Sequence, residues 1–439
     1  MKIAYLDPAY SGHFGALAAT LARRTGGDVV ALLSSPAYRL YTGGDRALVW
    51  QPGLSEHLRE LPHEFDHATW APMKDPRSMS VFAHAVDWFR QRFAEEGIEL
   101  CLVFSDARPF SVAARLAAAE LGVVVLYFER GAFRYSTSSL STQGLNSRFS
   151  LQRAESLPGL HGVAADDPLD KREAEPWLRT RFARFLVHNA LACLVNRDRG
   201  RIQHKRYALG PYLRLAWAQW RTEHHLADGE NVPVPKGPGE PLVVVPLQLA
   251  TDSQLVLHSP FTDNQHFIDF VSTEVQRVLP GAPVLFKRHP MDATHYRLPA
   301  GAHMVGGNLA RFHRADPIVV CINSTVGFEA LVRGERVICF APSFYADAKP
   351  LVMATPQSFG QRLREVAAAQ GDAEAGAALR ASVLRCYQAP GDAWAYTAAD
   401  VEATAEVVMK HFRAARLTLV VPRPAEVPLR AAEAGHAIA

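Results

Sequence analysis

Cysteine is scarce in this chain: five residues in 439, odd in number and far apart. Cys101, Cys193, Cys321, Cys339 and Cys386 offer neither zinc-site spacing nor a disulfide framework, which suits reduced thiols. Cys101, Cys321 and Cys339 lie in apolar runs and read as core packing. Long hydrophobic runs are missing too. Nothing approaches the roughly 18 apolar residues that span a bilayer. The start, Met1 to Asp7, is too short and too quickly interrupted for a secretory leader, so the sequence predicts a cytoplasmic protein. There is no internal repeat and no low-complexity tract. Charge of one sign is also in short supply, the net charge being +3, and with 48% hydrophobic and 21% charged residues a disordered scaffold is excluded.

What is present is a recurring alternation of strand and helix signals. A short strand, a Gly-bearing turn, an Ala/Leu-rich helix and a second strand open the chain, and LCLVFSD, PFSVAARLAAAELG and VVVLYFERG continue the pattern. The polar stretch Arg134 to Arg153 reads as a long loop leaving the sheet edge. A helical region at 170–225 follows, with ten Lys/Arg against one acid between Pro176 and Thr222. Such a segment calls for an anionic neighbour. A Pro/Gly-rich linker then separates a second round of alternation. The expected architecture is α/β and GT-B-like, two Rossmann-like domains facing across a cleft with a helical insertion at the end of the first. Its expected parts are 1–235 for the first domain, 236–395 for the second, a helix at 396–415 returning to the first, and a tail at 416–439.

Chemistry-bearing residues fall at strand ends. Ile318 to Ile322 runs into Asn323, Ser324 and Thr325 at the start of a helix, where free N–H groups receive phosphates. The same residues also suit plain helix capping. Glu329, one turn further, is placed either for ribose hydroxyls or as a solvated helix glutamate. Lys287 and His289 share a strand face by its period of two and offer two cations to one phosphate, while His289-Pro290 alone equally fits a surface turn. Glu129 ends a strand of the other domain, as a general base for an acceptor hydroxyl or as an ion-pair partner of Arg130, Arg134 or Arg108. Asp252 follows Gln248 by four residues, either as nucleophile or sugar-positioning group, or as an Asx turn with Ser253 and Gln254.

Together Glu129-Arg130-Gly131, His289-Pro290 and Ser324-Thr325 resemble the acidic-acidic-Gly, HP and Ser-Ser/Thr motifs of bacterial CMP-sugar glycosyltransferases. SGHFGALAATLARR, FSDARPFSVAARLAA, YFERGAFRYSTSSLSTQGLNS, PLQLATDSQLVLHSPF, LFKRHP and CINSTVGFEALVRGERVICFAPSFY are similar, in family order, to the capsule polysaccharide synthesis family, in its KpsS-like (LipB-like) β-Kdo transferase branch. The resemblance implies a retaining enzyme moving β-Kdo from CMP-β-Kdo to a (lyso)phosphatidylglycerol-type lipid, as a peripheral protein of the anionic inner membrane. It implies Lys287, His289, Pro290, Ser324, Thr325, Glu329 and Gln248 at the nucleotide, with Asp252, Glu129 and His289 catalytic. No metal and no cofactor are expected, other capsule assembly or export proteins are possible partners, and nucleic acid is not. Two departures stand out: Arg130 where the family has a second acid, and Ser111 where it has histidine. The competing readings are a CMP-sialic acid or other nonulosonate transferase, and a non-catalytic GT-B capsule protein. The basic helical region, with Leu178, Phe182, Phe185, Leu186 and Cys193 as its apolar stripe, is expected to lie on the bilayer.

Overall fold

The computed structural model describes residues 1–56, 75–157, 173, 176–202, 241–250, 252–292, 294–307, 309–313, 316–349 and 351–420. Its first sheet is built from β1 (Lys2–Leu6), β2 (Asp28–Leu33), β3 (Ala47–Val49), β4 (Leu100–Phe104), β5 (Val124–Arg130) and β6 (Thr137–Ser141), joined by a late strand, Gln388–Pro390. Helices α1 (His13–Thr25), α2 (Pro76–Glu96), α3 (Pro109–Leu121), α4 (Leu151–Glu155) and α5 (Leu178–Val195) belong to this half. Pro76 and Pro109 open α2 and α3, where a missing N–H costs nothing.

The second sheet contains β7 (Val243–Pro246), β8 (Val284–Lys287), β9 (Ala302–Val305), β10 (Ile318–Cys321), β11 (Arg336–Cys339) and β12 (Leu351–Met353). Its helices are α6 (Ser253–His258), α7 (Asn264–Val278), α8 (Ala310–His313), α9 (Thr325–Val332), α10 (Phe359–Ala368) and α11 (Ala373–Tyr387). The late strand, β13, and α12 (Ala398–Val420) then return to the first half. Two Rossmann-like domains sharing a cleft make the GT-B-like arrangement that the sequence predicts.

Strand order locates the cleft. The first sheet runs β13-β6-β5-β4-β1-β2-β3 and the second β12-β11-β10-β7-β8-β9. In the second, the order reverses between β7 and β10, so the loops leaving those strands diverge and open a crevice at their carboxyl ends. Short apolar runs such as VVVP and IVVC are wholly buried because helices cover both faces.

Two differences from the sequence reading follow from long-range pairing. The polar stretch after Arg134 contains β6, fully buried between β5 and β13. Its hydroxyls are satisfied from far along the chain: Gln388 Oε1 accepts from Thr137 Oγ1 (2.7 Å), Gln388 Nε2 donates to Ser139 Oγ (3.0 Å), and Ser138 Oγ donates to the Gly391 carbonyl (2.9 Å). The chain therefore re-enters the first sheet at Gln388, inside the span expected for the second domain. Helix α12 completes that return, its Val401, Ala405 and Val408 sharing a core with Leu17 and Leu21 of α1.

The domains are joined by a continuous apolar core on one side. Phe149 stacks on Tyr387 at 4.1 Å, Tyr387 on Phe344 at 5.2 Å, and Phe344 packs against Phe328 at 5.1 Å. Each fully buried ring is worth roughly 1.5–3 kcal/mol in transfer terms, enough to hold two halves together.

The basic region is used differently from expected. Phe185 and Leu186 of α5 are buried, and Phe185 packs on Tyr10 and Tyr38 at 4.9 and 4.5 Å, so much of the supposed bilayer stripe is spent on the protein. Arg199, itself buried, donates to the Ser34 and Trp50 carbonyls at 2.6 and 2.8 Å, and Arg201 pairs with Asp198 and Asp75. The outward face of α5 carries Val187, Leu191, Leu194 and Val195 instead. Lys205, Arg206, Arg214, Arg221, Trp217 and Trp220 lie outside the described residues.

Candidate active site

The loops after β7 and β10 meet at the second sheet's crevice. Ser324 caps α9, its Oγ accepting from the Val326 N–H at 3.3 Å, while its carbonyl accepts from the Tyr345 hydroxyl at 2.5 Å. The helix's positive end thus faces the crevice, with half-buried Thr325 as its first residue. Close packing fixes this placement: a Cβ on Gly327 would stand 2.7 Å from both Cys321 Sγ and Tyr345 Oη. Asn323, buried behind Ser324, donates to Ser147 Oγ of the first domain (3.1 Å) and to the Pro342 carbonyl (3.0 Å). Gln248, expected at the ligand, is buried and donates its amide to Asn323 Oδ1 at 3.0 Å. Its side chain couples the two loops that form the crevice.

Beside β7, strand β8 ends at Lys287, and burial holds that ammonium below its ordinary pKa. Two residues on, His289 Nδ1 accepts from the Met291 N–H at 3.1 Å, which leaves the neutral ring's proton on Nε2. Burial lowers the His289 pKa, with Asp252 and Asp292 opposing that shift. An anion would favour the charged form of Lys287, while neutral His289 offers its Nε2 N–H as a donor. Pro290 is an exposed turn residue, and Arg288 is committed to the same turn, donating to the Asp292 and Thr294 carbonyls.

Asp252 caps the short helix α6, its Oδ1 accepting from the Gln254 N–H at 2.9 Å. Burial pushes its carboxyl up, while that N–H, His289 and Arg134 pull it down. The Asx-type contact expected as the bland alternative is therefore real. Asp252 and His289 also lie within electrostatic reach of each other.

From the first domain, Glu129 stands near the end of β5, opposite Ser139. Its carboxyl is pushed up to about 7 by burial first and by the Asp106 and Asp252 carboxylates next, against Arg134 and Arg108. Water still reaches Glu129. A cleft wall explains both facts, because solvent touches the carboxyl while the surrounding protein and two acids disfavour its charge. Glu129 and Asp252, from opposite domains, are thus brought within electrostatic reach of each other. Glu329 is likewise accessible on α9, raised by burial and opposed by Arg333, Arg134 and His313.

Neighbouring groups hold the scaffold. Asp106 accepts from the Leu145 N–H at 2.9 Å and pairs with Arg148 at 3.6 Å, a structural role at the end of β4. Arg130 points to the opposite face from Glu129, as strand alternation requires. It lies between the rings of Tyr135 and Trp394, 4.7 and 4.6 Å away, and pairs with fully buried Asp392 at 3.8 Å. Ser111 is buried in the first turn of α3.

Sequence reasoning treated Arg134 only as an ion-pair partner for Glu129. The structure puts it in electrostatic reach of Glu129, Asp252, His289, Glu329 and Asp392. Only its place five residues after a strand-end acid hinted at this. Among the described residues no group of three or more His, Cys, Asp or Glu is placed to hold a metal ion, and no helix is long and apolar enough to cross a membrane.

The profile of a family described as capsule polysaccharide biosynthesis protein matches residues 99–348. The capsule polysaccharide export protein KpsS of Escherichia coli is 25% identical over 279 residues, covering 59% of this chain and 71% of that protein. Protein FixF of Sinorhizobium fredii (strain NBRC 101917 / NGR234) is 34% identical over 122 residues, 26% of this chain and 29% of that one. Among solved structures, the β-Kdo 2,7 transferase of Thermosulfurimonas dismutans KpsC aligns with 17% identity and a TM-score of 0.37, over 73% of this chain and 89% of that chain.

Proposed function

The chain belongs to the capsule polysaccharide biosynthesis protein family, and on that premise we propose that it is a retaining transferase carrying β-Kdo from CMP-β-Kdo to a (lyso)phosphatidylglycerol-type lipid. The observation that carries this reading is that Glu129 and Asp252, from opposite domains, lie within electrostatic reach of each other, and Asp252 within reach of His289, on strand-end loops of the second sheet's crevice where α9 begins. The phosphate of the donor takes Lys287, the Nε2 proton of His289 and the N-terminal turn at Ser324 and Thr325, while Glu329 faces the nucleotide's hydroxyls. Asp252 attacks the anomeric carbon; the bond to the phosphate oxygen breaks, and CMP leaves with the electron pair. The Lys287 ammonium, the His289 N–H and a helix end meet the leaving group's charge, in place of a metal ion. Ionised Glu129 then takes the proton of the acceptor hydroxyl as its oxygen displaces Asp252, and two inversions give net retention.

A lipid acceptor is supported by the outward face of α5, where Val187, Leu191, Leu194 and Val195 are 51%, 56%, 74% and 90% exposed beside exposed Arg184 and Arg197. Such a face suits peripheral contact with an anionic bilayer.

The test is the intact mass of the protein after exposure to CMP-Kdo without acceptor. The expected result is one added Kdo on the wild type and none on Asp252→Asn, whose amide oxygen retains the cap. Adding short-chain phosphatidylglycerol should discharge the adduct into a glycolipid. Equal adduct on Asp252→Asn would remove Asp252 from the nucleophile's role, and no product from CMP-Kdo and lipid would end the reading.

A further inference from the structure

A first-domain segment with no direct part in that chemistry is bonded to the loop that carries Asp252. After β6 the chain passes through Gly144 and the single 3₁₀ turn Asn146–Arg148 before it enters α4. The course of this segment is fixed at its start. Gly144 has a φ of +114°, and a Cβ there would stand 2.7 Å from Arg148 Cβ and 3.2 Å from Asp106 Oδ2. Asp106, at the end of β4, accepts from the Leu145 N–H, and the Tyr387 hydroxyl accepts from the Asn146 N–H at 2.9 Å. The segment then meets the second domain through three side chains. Asn146 Oδ1 accepts from the Phe344 N–H at 3.3 Å, Ser150 Oγ donates to Asp347 Oδ2 at 2.8 Å, and Ser147 enters the network around Asn323.

Proton counting resolves that network. The Asn323 amide has two protons and three acceptors in reach: Ser147 Oγ at 3.1 Å, the Pro342 carbonyl at 3.0 Å and Gln254 Oε1 at 3.2 Å. The Ser147 hydroxyl has one proton and two acceptors, Gln254 Oε1 at 2.5 Å and the Pro342 carbonyl at 2.8 Å. Every group is satisfied when Asn323 donates to Ser147 and Pro342, and Ser147 gives its proton to Gln254, its shorter contact. Gln254 is then held from the first domain by its side chain, while its own N–H holds Asp252 Oδ1 at 2.9 Å. Asp252 and Gln254 stand at the start of α6, whose six residues are too few to be rigid without support. Buried Leu255 and Val256 fix where that helix lies. The bond from Ser147 fixes how its first turn is presented.

We propose that Ser147 is a positioning residue for Asp252: its hydroxyl, acting through Gln254, holds the second domain's carboxylate in line for attack, so that the covalent step requires the two domains docked as they are here. The assignment rests on the transferase reading above, in which Asp252 is the nucleophile. Adduct formation with CMP-Kdo is followed in time by intact mass for the wild type, Ser147→Ala, Ser147→Thr, Gln254→Ala and the double variant S147A/Q254A, with calorimetric CMP titrations and circular dichroism melts on each. Ser147→Ala is expected to bind CMP within about twofold of the wild type and to form the adduct about ten- to a hundredfold more slowly, the loss that roughly 1 Å of misplacement brings. Ser147→Thr keeps the hydroxyl and should recover most of the rate. The double variant should be no slower than Gln254→Ala alone, because both residues act along one path. An unchanged adduct rate on Ser147→Ala, with or without a lower melting temperature, would leave Ser147 a tie between domains and overturn the assignment while the transferase reading stands. Losses that multiply in the double variant, or a CMP affinity that falls in step with the rate, would overturn it as well. A wild type that takes up no Kdo would bring down both.

Discussion

Glu129 carries the clearest pH signature at the scale of single residues. Its folded-state pKa is about 7 against an ordinary 4.5. As a base it must be ionised, so kcat/KM is expected to rise with pH through about 7 and level off above it. Glu129→Gln should remove that limb and lower the rate on the order of 10²- to 10⁴-fold; a wild-type profile flat across the interval would exclude Glu129 as the base. The same shift has a stability counterpart. A raised folded-state pKa means the native protein holds the extra proton, so the group's contribution is full below 4.5 and is lost as pH rises through about 7. Melting temperatures of Glu129→Gln should therefore gain on the wild type as pH goes from about 5 to about 8. Glu129, His289, Ser324 and Thr325 were legible in the sequence because strand ends and helix starts leave a pattern. Arg134 was not, since a turn residue has no period and its surroundings come from the other domain. The bond from Gln248 to Asn323 was not legible for a related reason: its partner lies 75 residues away.

Among elements, α9 depends most on a single small residue. Gly327→Ala would press a methyl group onto Cys321 and Tyr345, and Tyr345 also holds the carbonyl of the capping Ser324. The variant is expected to lose about 1–3 kcal/mol by urea midpoint, as overpacked cores do. CMP affinity should fall with it, because the helix start moves. A variant with both values unchanged would show that α9 is not positioned by this contact. The alternation of strands and helices was legible throughout, from apolar runs such as LCLVF and IVVC. Strand β6 was not, because TSSLS looks like a polar loop until Gln388 supplies its hydrogen bonds across 249 residues. The α5 stripe shows a further limit: periodicity identified an amphipathic helix but not which surface Phe185 and Leu186 would bury against.

The molecule as a whole should unfold in one step, since its apolar core runs unbroken from Phe149 through Tyr387 to Phe328. Among the described residues the tryptophans, Trp50, Trp88, Trp177 and Trp394, all belong to the first half, so fluorescence of a variant that keeps Trp50 alone follows that half. Hydrogen exchange at β7 and β10 follows the second. Coincident denaturant midpoints are expected, and two separated ones would show that the shared core does not couple the halves. The strand β13 bears on a different matter, the timing of synthesis. Its Gln388 emerges 249 residues after its neighbour Ser139 in the same sheet, a wait of roughly 10–50 s at ordinary ribosome speeds. Until then β6 has a bare edge and buried hydroxyls without partners. The half that is made first is therefore the half that is finished last, and it needs protection while the ribosome completes the rest.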